Sequence, residues 1–169
     1  MNFKITSSLT ILLVFVVGFA KAQSPTTTAN VTARLILNEV YNIEIAEGED
    51  IQFAFNTKED YDNGIELKEA SKLTLAANSS WQVSMDTNGK EYFTASQEEN
   101  NGTLPVSALA IKPSASNNYV SLSTESQVLF QSNTRGNNQE LSLDYKASPA
   151  WDTPRDAYVI EIRYTIAAY

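Results

Sequence analysis

The side chains in this 169-residue chain that could do chemistry are carboxylates and aromatics. Asp60, Asp62 and Asn63 precede Gly64, so oxygen ligands fall at alternating positions ahead of a sharp turn, as in a calcium loop. The EF-hand form fails, because Ser71 stands twelve positions along where a bidentate glutamate is needed. Glu47 with Glu49, and Asp152 with Asp156, have the residue types of a glycosidase pair. That reaction needs two carboxyls at a fixed separation across a sugar cleft, which sequence spacing does not set, and 20 acidic residues make chance pairs inevitable. With no histidine and no cysteine, Ser-His-Asp and Cys-His nucleophile systems, the HExxH zinc helix, and imidazole or thiolate metal sites are all impossible. The chain reads as non-enzymatic, with no cofactor. Of the two tryptophans, Trp81 shares parity with Val83 and Met85, which predicts core packing. Trp151 lies between Pro149 and Pro154 in a connecting loop, which makes it the candidate contact residue or else a cap on the sandwich edge.

The elements that must position these residues read as strands. In residues 157–168, Tyr158, Ile160, Ile162, Tyr164 and Ile166 fall on one parity and Glu161, Arg163 and Thr165 on the other, the pattern of a strand with one buried face. Ten residues of strand span about 33 Å, the height of a sandwich, which predicts a central terminal strand. Alternation recurs at Tyr41, Ile43 and Ile45; at Ile51, Phe53 and Phe55; at Leu73 and Leu75; at Trp81, Val83 and Met85; and at Leu141, Leu143 and Tyr145. Polar turns separate these runs, Asn88-Gly89 being the sharpest, and residues 57–64 read as an acidic loop. No segment beyond the first twenty-odd residues carries a sustained 3.6-residue apolar stripe. The expected fold is all-β: a single Ig-like antiparallel β-sandwich after a cleaved signal peptide.

Residues 1–22 have the tripartite form of that peptide, with Lys4 in the charged region, an apolar run over 8–19, and Ala20-Lys21-Ala22 as the cleavage site. The run is shorter than the ~20 residues of a spanning helix, so no transmembrane segment is expected in the mature chain. Residues 23–30 read as a flexible arm and 31–169 as the sandwich domain. Cleavage removes Lys4 and Lys21 from 12 basic residues set against 20 acidic ones, taking the net charge from −8 to −10. Such a surface repels phosphate backbones, so nucleic acid is not an expected partner. Val31, Ala33, Leu35 and Leu37 alternate with polar Thr32 and Arg34. They are read first as the opening strand of the sandwich and alternatively as a donor strand for another copy.

Ser80-Trp81-Gln82-Val83-Ser84-Met85, followed by Phe93 and residues 104–109, resembles the first motif region of WxL-type surface domains. Tyr158 with residues 162–166 resembles the second motif, with Val83, Tyr164 and Ile166 standing where that family has leucine, tryptophan and leucine. The ending, a proline-containing loop before a tyrosine-rich strand, is similar to fimbrial-subunit and spore-coat-U-like secreted sandwiches. The resemblance implies an exported, non-enzymatic structural or adhesive protein of the periplasm, envelope or cell surface. Its expected partners are other surface proteins, glycans and a second copy of itself. The alternatives are a fimbrial subunit polymerising by donor-strand exchange and a small carbohydrate-binding module.

Overall fold

The computed structural model describes residues 27–169; the expected signal peptide (1–22) and the first part of the arm (23–26) lie outside the described residues. The chain divides into two units, the first ending at Ile36 and the second being Leu37–Tyr169. Within the first, residues 27–36 form neither helix nor strand, and Val31 and Leu35 are 93% and 81% exposed. Leu37 is equally bare, so the expected opening strand over 31–37 is absent and the sandwich starts at Tyr41. Alternation alone is not enough for a strand; a ladder partner is needed, and no segment of the described chain supplies one here.

The second unit is all-β. In chain order its strands are β1 (Tyr41–Glu47), β2 (Ile65–Ala77), β3 (Trp81–Asp86), β4 (Thr94–Ala95), β5 (Leu109–Pro113), β6 (Val120–Ser121), β7 (Gln127–Ser132), β8 (Gly136–Ala147), β9 (Tyr158–Val159) and β10 (Arg163–Ala168). One helix, α1 (Lys58–Asn63), precedes β2. A five-stranded sheet, ordered β1-β2-β8-β5-β6, faces a three-stranded sheet, β10-β3-β7, and β4 pairs with β9 as a small side ribbon. All the named pairings are antiparallel. Inward residues of both sheets meet in one core, with Leu73, Leu143 and Ile111 from the larger sheet and Trp81, Val83 and Met85 from the smaller one. Trp81 is buried as its parity predicts, and its indole donates to the Thr134 carbonyl at 2.8 Å. Asn88 and Gly89 both have positive φ, the conformation that a tight turn after β3 requires.

Three elements depart from the sequence expectation. Residues 57–64 hold a helix, because Thr57 accepts from the Asp60 N–H while the Asp60 carboxylate accepts from the Thr57 N–H, a reciprocal cap that starts a turn at once. β2 reaches well beyond the alternating pair Leu73 and Leu75, back to Ile65, across a bulge between Leu67 and Ser71, where Glu69 takes φ 50°. The terminal stretch is neither continuous nor central: β9 pairs with β4, residues 160–162 are in no ladder, and β10 lies at the edge of the smaller sheet. Its alternation survives, with Ile160, Ile162, Tyr164 and Ile166 half-buried and Glu161, Arg163 and Thr165 exposed.

The Glu69 bulge is pinned from inside the sheet. Asp144 on β8 is buried, accepts from the Glu69 N–H at 2.9 Å and from Ser114 Oγ at 2.5 Å, and pairs with Lys112 at 2.6 Å directly across the β5–β8 ladder. Burial alone would raise this carboxyl, but the Glu69 N–H, Lys112 and Ser114 outweigh it and pull it down to about 2.

Candidate functional site

The strand pairing leaves one flank of the sandwich open. β1 ends at Glu47, and the φ of 74° at Gly48 lets the backbone leave the sheet; a Cβ there would sit 2.0 Å from the Ala70 carbonyl oxygen, so only glycine fits. The chain then runs extended through 51–55 with Ile51, Phe53 and Phe55 half-buried and Gln52 and Ala54 exposed. This is the burial pattern of a strand, yet 51–55 belongs to no sheet, and the same is true of 160–162. Among the described residues, no backbone-to-backbone hydrogen bond involves either segment.

Both runs line a cleft of about 990 Å³. Its lining includes Ile51, Phe53 and Phe55 from the first run, Ile160 and Ile162 from the second, and Tyr164 from β10. Its inner end meets a polar chain joining the two sheets: Ser71 Oγ lies 2.6 Å from Tyr145 Oη, which lies 2.7 Å from Tyr164 Oη. Burial pushes both phenols up, so they stay protonated and act as a fixed tie. The rim is mostly acidic, with Glu49, Asp50, Asp156 and Glu161 against Arg155.

The cleft and the start of the second unit lie at opposite ends of β1. Asn78 bonds to Val40 in both directions and its side-chain amide donates to the Asn38 carbonyl at 2.7 Å, extending the Tyr41–Ala77 pairing by a step. Ile45 and Gly48, at the far end of the strand, line the cleft. Seven residues of strand separate the two ends by roughly 23 Å.

Above the cleft wall, α1 gathers residues that sequence spacing kept apart. Tyr61 stacks on Trp151 with centroids 4.7 Å apart and planes 27° from parallel, and Phe55 backs Tyr61 at 5.2 Å. The Trp151 indole N–H donates to Asp62 Oδ1 at 3.3 Å, and Lys58 pairs with the other Asp62 oxygen. Trp151 nevertheless remains 59% exposed. The three residues of the calcium-like motif have separate tasks. The Asp60 carboxylate is turned back on the helix start, where the Asn56 and Thr57 N–H groups lower its pKa; Asp62 serves Lys58 and Trp151; Asn63 ends the helix in the open. No group of three or more potential metal ligands forms among the described residues. Asp156 is engaged with Asn100 and the Gln97 N–H, and its sequence partner Asp152 lies on a different recess.

Sequence reading missed Tyr61 and Phe55 as partners of Trp151, and missed the cleft walls. Residues 51–55 and 160–162 carried a clear signal of being extended and half-buried, but nothing in a period-2 pattern says whether a neighbouring strand exists. No protein-family model and no curated protein matches the chain.

Proposed function

We propose that this chain is an exported, non-enzymatic structural subunit of a cell envelope or surface, joined to its neighbours by strand donation. The carrying observation is the cleft lined by both 51–55 and 160–162, two extended segments whose backbone has no ladder partner among the described residues. Such an edge is a template for an added strand, with main-chain hydrogen bonds giving affinity and alternate side chains giving register. The donor is residues 31–37 of a second copy. Val31, Ala33, Leu35 and Leu37 are the apolar parity such a strand would bury, and Val31, Leu35 and Leu37 are bare in the single chain. Arg34 falls on the other parity. Seven residues of donor, roughly 23 Å, are long enough to run the whole of the five-residue segment 51–55.

In a filament the exchange is heterologous, each copy giving its arm to the next, and a heterologous contact that does not close into a ring leaves an open end for further copies. The likeness to fimbrial subunits agrees with this reading, as does the export-signal pattern of residues 1–22.

The test is complementation between two broken variants of the mature chain, followed by sedimentation velocity. Leu35→Asp with Leu37→Asp spoils the donor; Phe53→Lys spoils the acceptor. Wild type is expected to sediment as a ladder and each variant alone as a monomer. Their mixture should stop at dimers, because one intact arm meets one intact cleft. A wild-type chain that remains monomeric at about 0.1 mM, or a ladder that survives in the donor variant, removes the proposal.

A further inference from the structure

We propose that Trp151, seated on Tyr61, is the platform of a binding site for an uncharged pyranose-based glycan, a site separate from strand donation. The first observation is the state of the indole. It is held from one side by the Tyr61 ring and from its N–H by Asp62, in a loop bounded by Pro149 and Pro154, yet more than half of its surface meets solvent. A residue that only capped the sandwich edge would be covered, as Trp81 is in the core. A ring fixed in advance and left bare offers a large flat contact at little ordering cost.

The second observation is a recess lined by the two chain neighbours of Trp151, though not by the indole itself. Ala150 and Asp152, the two chain neighbours of Trp151, line a recess of about 460 Å³ together with Thr103, Ser107, Ser148 and Thr153. This volume lies within the range of small-molecule sites. It combines four hydroxyls and a carboxylate with the apolar rings of Pro105 and Pro154. A pyranose presents an apolar C–H face to an aromatic ring and a rim of hydroxyls that need donors and acceptors; the exposed indole supplies the first, and the Asp62 carboxylate at its N–H, with the hydroxyls around its chain neighbours, supplies the second. A planar base would stack equally well, but nucleotides and anionic sugars bring phosphate or carboxylate towards Asp62 and Asp152 on a chain of net charge −8. That favours a neutral ligand.

The experiment follows the two indole N–H resonances of the mature chain carrying the Leu35→Asp and Leu37→Asp changes, which keeps it monomeric and leaves Trp151 untouched. Trp81, buried and bonded to Thr134, is the internal reference. The probes are cellohexaose, maltohexaose, laminarihexaose and chitohexaose, with alginate as an anionic comparison. At least one neutral hexasaccharide should shift the Trp151 signal saturably, with Kd on the order of 1 mM or tighter, while Trp81 stays in place and alginate does nothing. Trp151→Ala should weaken binding on the order of tenfold or more, Trp151→Tyr should retain most of it, and Asp152→Ala should weaken it without altering the melt. The proposal is overturned if none of the four sugars moves the Trp151 signal, if binding survives Trp151→Ala, or if alginate binds as well as the neutral sugars. Each of these results leaves the strand-donation test unaffected.

Discussion

The two flanks of the sandwich are written in the same period-2 alphabet and end in different states. Around β2, β8 and β5 each inward residue has a ladder neighbour: Leu73 opposes Leu141, Leu143 opposes Ser71 and Pro113, and Ile111 opposes Tyr145. Around 51–55 and 160–162 the alternation is equally regular, but the backbone has no ladder and the side chains are only half-buried. Side-chain patterning and strand pairing are therefore separable requirements. Where both are met, the chain closes; where only the first is met, the backbone is left without a ladder.

Hydrogen exchange should show this difference most strongly. In the monomeric donor variant, amides of 141–145 should exchange only through global opening, which for a domain of this size lies several kcal/mol above local fluctuation. Amides of 51–55 and 160–162 should exchange near the unprotected rate, then gain protection in wild-type assemblies. Strong protection of 51–55 in the monomer would mean that the flank is closed in solution.

Truncation of side chains comes next in size. Leu143 is fully buried, so Leu143→Ala should cost roughly 2–5 kcal/mol in urea unfolding, whereas Phe53→Ala should fall well below the roughly 3–5 kcal/mol of a buried phenylalanine. A full cost at Phe53 would abolish the distinction between the flanks.

Acid should separate them further. Asp144 titrates in the folded state at about 2, below its ordinary value of 3.8, so its contribution to stability is complete above that ordinary value and is lost as pH falls from about 4 towards 2. Over that interval, wild-type urea midpoints should drop more steeply than those of Asp144→Asn. Parallel slopes would show that the Lys112 and Glu69 contacts do not hold the carboxylate ionised.

The closed flank was legible in the sequence because both of its requirements leave local marks: the inward parity of Leu141, Leu143 and Tyr145, and the Asn88-Gly89 turn. The bulge at Glu69 was not, since the Asp144 that stabilises it lies 75 residues away. The terminal stretch was read correctly for its faces and wrongly for its neighbours, because parity reports which side is buried and says nothing about which strand lies alongside. The residues at 31–37 failed as a strand for the same reason. Trp151 was legible as exposed, from its proline-flanked loop, while Tyr61 and Asp62 were hidden in a segment read as a polar turn. The signal that could have found them is Thr57 followed three residues later by Asp60, a helix start overlooked in favour of the calcium-like spacing.

The smallest predicted effect uses that helix start to ask how far the open flank is coupled to the core. α1 is six residues long and far too short to be stable alone, so it depends on the Thr57–Asp60 cap and on the Phe55–Tyr61–Trp151 stack. Removing a cap hydroxyl costs roughly 0.5–2 kcal/mol of local helix stability. If the flank opens independently of the closed sheet, that cost is spent on fraying α1, and global unfolding registers only a small part of it. Thr57→Ala should then shift the urea midpoint by less than about 0.5 kcal/mol while acrylamide quenching of tryptophan rises. The increase comes from Trp151, since Trp81 stays buried. The opposite result, a midpoint that falls by the whole capping energy with quenching unchanged, would mean that α1 unfolds only with the core. The aromatic platform would then belong to the closed part of the molecule and not to its open flank.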